Sequence, residues 1–252
     1  MSHTDPFDFT GKVVLITGGS RGLGRAMALG FAGRGADIVV ASRKQDACDV
    51  VADEIRTMGR VALAVGAHVG KWDDLKRLSD NAYDRFGRVD ILINNAGMSP
   101  LAPSMVEVEE ALFDKIVDVN FKGVYRLATL VGSRMAAGTG GSIINVSSIG
   151  SLLPSPYFGA YAGAKAAVNA LTIALAREYA PKVRVNTIAP GGFLTDVAGD
   201  WAEDEEALRA VPLGRFGQPG EILTTAYYLA SDASSFTTGA LIRVDGGALH
   251  TK

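Results

Sequence analysis

Lys12-Val13-Val14-Leu15-Ile16-Thr17-Gly18-Gly19-Ser20-Arg21-Gly22-Leu23-Gly24 decides how this chain folds. Its first part is a short apolar run rich in β-branched residues, as in a strand, and from Arg25 to Arg34 the pattern is that of an amphipathic helix. A strand passing through a glycine turn into a helix is the physical form of a phosphate cradle. Gly18 and Gly22 permit a tight turn, Gly24 lets the helix approach the sheet, and the helix N-terminus faces a pyrophosphate. The spacing is Gly-x-x-x-Gly-x-Gly, since Met27 stands at the third glycine position of the alternative Gly-x-Gly-x-x-Gly.

Outward from this stretch the chain alternates strand and helix patterns. Strand candidates lie near residues 12–17, 37–42, 61–66, 89–93, 141–147, 183–189 and 240–245, with amphipathic helical stretches in most intervals. Such alternation predicts about seven parallel strands in one sheet with helices on both faces. No linker, low-complexity tract or fixed-period repeat is present, so residues 1–252 are expected to form a single α/β domain. The one long irregular interval, residues 190–220, holds Gly191-Gly192, an acidic helix candidate at 200–210, and Pro212. It follows the C-terminal end of a strand, where open α/β folds build ligand sites, and is expected to be a substrate lid.

Composition narrows the function classes. With 48% hydrophobic and 21% charged residues the chain is of ordinary globular type, and a net charge of −2 with both signs interspersed offers no footprint for nucleic acid or an anionic membrane. Cys48 is the only cysteine, which suits a reducing compartment, and Met1-Ser2-His3-Thr4-Asp5-Pro6 has neither a basic nor an apolar leader region. A soluble cytoplasmic protein is expected. One cysteine and three scattered histidines, His3, His68 and His250, supply no metal-binding pattern and leave a serine hydrolase without its histidine.

Tyr161 and Lys165 stand four residues apart, on one face of a helix, and Ser148 closes the strand-like run 142–148 thirteen residues before the tyrosine. A nearby cation favours the phenolate and draws a tyrosine toward useful acid–base range, while a serine hydroxyl polarises a carbonyl or alcohol oxygen. Strand alternation sends Ser147 and Ser148 to opposite faces. Tyr157 has a tyrosine, not a cation, four residues on.

Six ordered segments now coincide: the glycine turn 17–24, Asn94-Asn95-Ala96-Gly97, Asn120, Ser148, Tyr161-x-x-x-Lys165, and Pro190-Gly191-Gly192-Phe193-Leu194-Thr195. Over about residues 11–247 the chain resembles the short-chain dehydrogenase/reductase family. The resemblance implies a Rossmann-type doubly wound fold and an oxidoreductase that moves hydride between a nicotinamide dinucleotide and a carbonyl or alcohol carbon. It implies Tyr161 as general acid and base, Ser148 polarising the substrate oxygen, Lys165 lowering the Tyr161 pKa and holding the nicotinamide ribose, and Asn120 holding a water that links Lys165 to solvent. Cofactor contacts are then expected from Gly18, Ser20, Arg21, Gly22, Leu23 and Gly24 of the turn, and from Asn94, Ala96 and Gly97, with Asn95 mainly structural. Pro190, Gly191, Phe193 and Thr195 are expected to position the carboxamide. The resemblance further implies helix pairing through residues 111–135 and 159–180 into a homo-oligomer, a tetramer or dimer.

Cofactor choice turns on Ile38-Val39-Val40-Ala41-Ser42-Arg43. NAD-selective relatives place an acid where Ser42 stands; here Arg43 follows, and Arg21 sits in the glycine turn, so two guanidinium groups can clamp a 2′-phosphate and NADP(H) is favoured over NAD(H). In Gly66-Ala67-His68-Val69, His68 replaces the family's aspartate, whose carboxylate contacts the adenine amino group; a neutral imidazole accepts one hydrogen bond, and Val69 should still pack near the base.

Candidate pocket walls are Met98, Ser99, Leu153, Tyr157, Phe158 and Trp201, around Ser148. They are mostly apolar or neutral, which favours an uncharged ketone or secondary alcohol over a phosphorylated sugar. The competing reading is a catalytically silent sensor of nicotinamide state on the same fold.

Overall fold

A computed structural model of the chain describes residues 5–195 and 205–249. Seven strands form one parallel sheet: β1 (Val13–Thr17), β2 (Asp37–Ser42), β3 (Ala62–Gly66), β4 (Ile91–Asn94), β5 (Gly141–Val146), β6 (Val183–Pro190) and β7 (Leu241–Val244). Their order is β3-β2-β1-β4-β5-β6-β7, with Leu15 in register with Val39 on one side and Leu92 on the other. The helices are α1 (Gly22–Gly33), α2 (Gln45–Thr57), α3 (Trp72–Phe86), α4 (Glu110–Val117), α5 (Gly123–Ala137), α6 (Gly159–Tyr179), α7 (Glu205–Arg209) and α8 (Leu223–Ala230).

The period-2 alternation of the strands builds two cores. Val14 and Ile16 of β1 face one side, packed with Met27 and Phe31 of α1, Val51 and Ile55 of α2, and Leu229 of α8. Val13 and Leu15 face the other, with Leu75 and Leu78 of α3, Leu127 and Val131 of α5, and Leu175 of α6. Successive strands are added in one direction from β1 to β3 and in the other from β4 to β7, so the order switches between β1 and β4. The crevice beyond their C-terminal ends is the topological switch point where such sheets take ligands.

The helical stretch expected over 111–135 is interrupted. Residues Asp118–Lys122 form a π-helical turn between α4 and α5, a local widening often found at functional sites. Just after it, a Cβ on Gly123 would overlap the Val69 carbonyl oxygen, so the chain leaving β3 crosses closely over the start of α5. Trp201 and the centre of the expected lid lie outside the described residues. Its flanks are held by a parallel bridge between Phe193 and Gly217, and α7 occupies part of the acidic stretch. Among the described residues no helix is long and apolar enough to cross a membrane.

Gly18, with φ of +66°, and Gly24 fix the geometry of the turn: a Cβ on Gly24 would overlap the Gly18 carbonyl oxygen. Nine residues along the same helix, a Cβ on Gly33 would meet only the Met58 Cε, at 3.5 Å. Gly24→Ala is therefore expected to cost at least about 2 kcal/mol, whereas Gly33→Ala should be neutral or slightly stabilising. Urea unfolding of the two purified variants checks this, and equal midpoints would contradict it.

Candidate active site

Lys165 lies inside the protein, 2% exposed, and its Nζ donates to the Val146 carbonyl oxygen at 2.8 Å. This bond fastens the first turns of α6 to the end of β5. Burial pulls the ammonium down to about 8. One turn earlier, the Tyr161 ring centroid lies 5.9 Å from Nζ, and Phe158 packs edge-on against the same ring with centroids 6.2 Å apart. Burial pushes the Tyr161 phenol above its ordinary value, and a hydrogen bond with the Ser148 side chain opposes that push. The spacing alone predicts that the ammonium draws the phenol down. Here desolvation is the larger effect, because the packing that brings the phenol to the sheet edge also strips it of water.

Ser148 ends the strand extension of β5 and caps a short 3-10 turn, Ile149–Ser151, its Oγ accepting from Gly150 N at 3.0 Å. The hydroxyl proton is left to donate toward Tyr161, the bond that opposes the upward push on the phenol. Ser147 points the opposite way, as alternation requires, and its Oγ donates to the Lys165 carbonyl oxygen at 3.2 Å. Behind the turn, Ser151 Oγ donates to Ser148 O at 2.6 Å and Asn169 Nδ2 donates to Ser151 Oγ at 2.8 Å. Ser151 and Asn169 escaped the sequence reading; the only signal was that Asn169 follows Lys165 by four on α6.

Asn120 sits in the π-helical turn with no exposed surface. Its Oδ1 accepts from Met98 N at 3.1 Å, and its Nδ2 donates to Met98 O at 2.9 Å and Ile116 O at 3.0 Å. These bonds leave the side chain one Oδ1 lone pair for the water that the resemblance assigns to it. Gly97 lies between the two groups: a Cβ there would be 3.0 Å from Asn120 Oδ1 and 3.4 Å from Lys165 Nζ.

On the other side of the crevice Thr17 is the fastening point. Its Oγ1 accepts from Asn95 N at 3.0 Å and Ala96 N at 3.1 Å, while Asn95 Nδ2 donates to Thr17 O at 2.9 Å. Asn94, 2% exposed, donates from Nδ2 to Asn145 Oδ1 at 2.9 Å. The loop after β6 returns over the glycine turn: a Cβ on Gly22 would lie 3.5 Å from the Thr195 Cβ. Pro190 ends β6 beside Val244, and Gly191 N donates to Val244 O at 3.0 Å. Phe193 is buried in the core beside α8 and β6, leaving its backbone, not its ring, for any carboxamide.

Ser20 and Leu23 lie within and just beyond the turn. Arg21 is the N-cap position of α1, with no side-chain cap and no acid in the first turn, so the helix N-terminus suits an anion. Arg21 and Arg43 are exposed, and neither has a carboxylate partner among the described residues. Ser42 Oγ lies 3.1 Å from Cys48 Sγ. His68 N donates to Asp74 Oδ2 at 2.8 Å, and His68 Nδ1 accepts from Gly70 N at 3.1 Å, which engages the acceptor expected for adenine. Val69 is half-buried beside it.

Of the expected pocket walls, Phe158 packs close to Gly150 as well as Tyr161, Met98 is tied to Asn120, and Ser99, Leu153 and Tyr157 are exposed. A separate apolar cavity of about 390 Å³ lies on a different face of α6, between Gly159, Gly163 and Ala167 and the side chains of Met105, Phe113 and Phe121.

A family model described as short chain dehydrogenase matches residues 12–206. The 3-oxoacyl-acyl-carrier-protein reductase of Staphylococcus epidermidis is 35% identical over 240 residues, covering 94% of this chain and 98% of that protein. Among solved structures, a 7α-hydroxysteroid dehydrogenase complexed with NADH and 7-oxo glycochenodeoxycholic acid superposes with a TM-score of 0.92 at 34% identity, covering 98% of each chain. A Beutenbergia cavernae protein solved with NADP bound at low occupancy also gives 0.92, at 35% identity, covering 98% of this chain and 100% of that one.

The burial of Lys165 has a measurable consequence. Its ε-amine should carry its proton below about pH 8 and lose it above, well under the ordinary lysine range. A carbon-13 NMR titration of the lysine ε-carbons, assigned with Lys165→Met, checks this; a Lys165 midpoint above 10 would contradict it.

Proposed function

The chain belongs to the short-chain dehydrogenase family, whose members carry out NAD(P)-dependent oxidoreduction at CH–OH and keto groups, and we propose that it interconverts a ketone or aldehyde and an alcohol with Tyr161 as acid and base. The observation that carries this reading is the convergence of Tyr161, Ser148 and the buried Lys165 ammonium at the C-terminal edge of the sheet, beside a helix N-terminus that no side chain caps. An intact proton-transfer set argues against the silent sensor.

In the reducing direction Tyr161 gives its proton to the substrate oxygen. A phenol pKa raised by burial keeps that proton in place at neutral pH. Ser148, whose Oγ is already held by Gly150 N, donates its hydroxyl proton to the same oxygen. Lys165 uses one N–H on Val146 O, leaving two for the nicotinamide ribose, and its charge stabilises the phenolate left by proton transfer. Asn120 clamps Met98 and so shapes the floor beside Gly97 and Lys165. When bound, the dinucleotide supplies or accepts the hydride. Gly18, Gly22 and Gly24 would cradle its pyrophosphate at the start of α1, where a Cβ on Gly24 would overlap the turn itself.

NADP is the preferred dinucleotide in this reading, with NAD second. Ser42 offers no carboxylate to repel a 2′-phosphate, and Arg21 and Arg43 have charges that no described acid neutralises. The substrate is an uncharged ketone or secondary alcohol, since the walls near Ser148 are apolar or neutral. A second copy of the chain covers the apolar groove on α6, whose small residues allow close helix approach.

Tyr161→Phe keeps the ring and removes the acid, so turnover should fall at least about a hundredfold with NADPH binding largely kept. Turnover by the purified variant on a panel of ketones with NADPH is the measurement, and near-normal rates would sink the mechanism. For the cofactor, Arg43→Ala should weaken NADPH about tenfold and leave NADH unchanged, read by nicotinamide fluorescence at one fixed ionic strength. If the wild type binds NADH more tightly and Arg43→Ala alters neither affinity, the arginine is a surface charge. Static light scattering at micromolar concentration should give a dimer or tetramer; a monomer would refute the pairing.

A further inference from the structure

We infer that Asn169 is a positioning residue for Ser148: acting through Ser151, it ties the turn that carries the Ser148 hydroxyl to the helix face that carries Tyr161. The inference rests on the acid–base reading of Tyr161 and Ser148 proposed above and deepens it by naming what holds the two together.

Tyr161, Lys165 and Asn169 follow one another at intervals of four on α6, so they share one face of the helix. The first two reach the sheet edge with their own side chains. Ser148 belongs to another element: it lies past the end of β5 and caps the 3-10 turn Ile149–Ser151. Hydrogen bonds in so short a 3-10 turn have poorer geometry than those of an α-helix, so the turn by itself holds the hydroxyl loosely.

The direction of the tie follows from donor chemistry. Asn169 Nδ2 lies 2.8 Å from Ser151 Oγ, and an amide nitrogen only donates. Ser151 Oγ is therefore the acceptor, and its one proton goes to the Ser148 carbonyl oxygen at 2.6 Å. The same oxygen takes Ser151 N at 3.1 Å, so the relay closes the turn from outside as well as from within. Ser147 Oγ comes within 3.3 Å of the Ser151 hydroxyl while also reaching Lys165 O at 3.2 Å, so its one proton is divided and Asn169 is the shorter, undivided donor. Asn169 Oδ1 is buried and accepts no bond among the described residues. An orphaned buried acceptor costs free energy, so the working end of this amide is its donor, and stability is not what it serves.

The tie has a signature that a purely structural role lacks. The groups facing the phenol are Ser148 from β5, Phe158 from the turn before α6, and Lys165 from α6 itself. Of these, Ser148 bonds the phenol and opposes the rise that burial imposes on it. Loosening Ser148 weakens that bond, so the phenol rises further, and alcohol oxidation, which needs the phenolate, demands a higher pH.

The test compares wild type, Asn169→Leu, Ser151→Ala and the double variant. Its substrates are the ketone that the wild type reduces fastest with NADPH at pH 7.5 and the corresponding alcohol, oxidised with NADP across a pH series. Each single variant should lose about tenfold in kcat, the scale of one hydrogen bond, with the NADPH dissociation constant and the thermal midpoint kept. The oxidation profile should move to higher pH in both. Because the two residues act in series, the double variant should lose no more than Ser151→Ala alone. A kcat within about twofold of wild type, an unmoved profile, or losses that multiply in the double variant would each overturn the inference. If Asn169→Leu does not fold, Ser151→Ala, which removes only the relay hydroxyl, decides on kcat and the profile. A wild type that turns over no carbonyl or alcohol overturns the acid–base reading and the inference with it, whereas an active wild type with unaltered variants overturns the inference alone.

Discussion

A cation without water must be held by something else, and in this protein the Val146 carbonyl oxygen holds Lys165. The remainder of this edge of the sheet depends on that constraint. Because the oxygen belongs to the last residue of β5, the bond fixes α6 against the sheet at one depth. Ser147, the next residue of the chain, reinforces it through the Lys165 carbonyl oxygen. With α6 so placed, Tyr161 reaches the sheet edge next to Ser148, and Phe158 closes on its ring. An unpaired charge in this position would cost several kcal/mol, so the bond organises the site as much as it stabilises the fold.

The same dry environment acts on Tyr161 and Lys165 in opposite senses. It raises the phenol and lowers the ammonium, each toward its neutral form. The two groups are thus brought to a state from which a new charge nearby, on either substrate or cofactor, has large leverage, since interactions are weakly screened where water is excluded. Ser148 adds a directed hydroxyl whose orientation is set by Gly150, Ser151 and Asn169 from behind.

Across the crevice the chain uses backbone fastening in place of buried charge. Thr17 gathers the amides of Asn95 and Ala96, so that the ends of β1 and β4 hold together where the strand order switches. The glycine turn can then lie close over Asn95, with Gly18 in a left-handed conformation that side chains rarely adopt. Asn94, Asn145, Thr172 and Thr187 continue as a buried polar chain between β4, β5, α6 and β6, which satisfies the polar groups that these positions bring into the core.

The sequence by itself determined the elements that local physics controls. The seven strands follow from runs of β-branched residues, the tight turn from three glycines between a strand and a helix, and the Tyr161–Lys165 face from a spacing of four on a helix; each depends on neighbours in the chain. Tertiary structure alone decided what depends on distant partners. Asn94 turns to Asn145, 51 residues away, Phe193 is drawn into the core against Gly217, and a π-helical turn opens where Asn120 locks onto Met98. The direction of the Tyr161 shift belongs to the same class, because desolvation is set by everything that packs around a group, and no spacing along the chain encodes it.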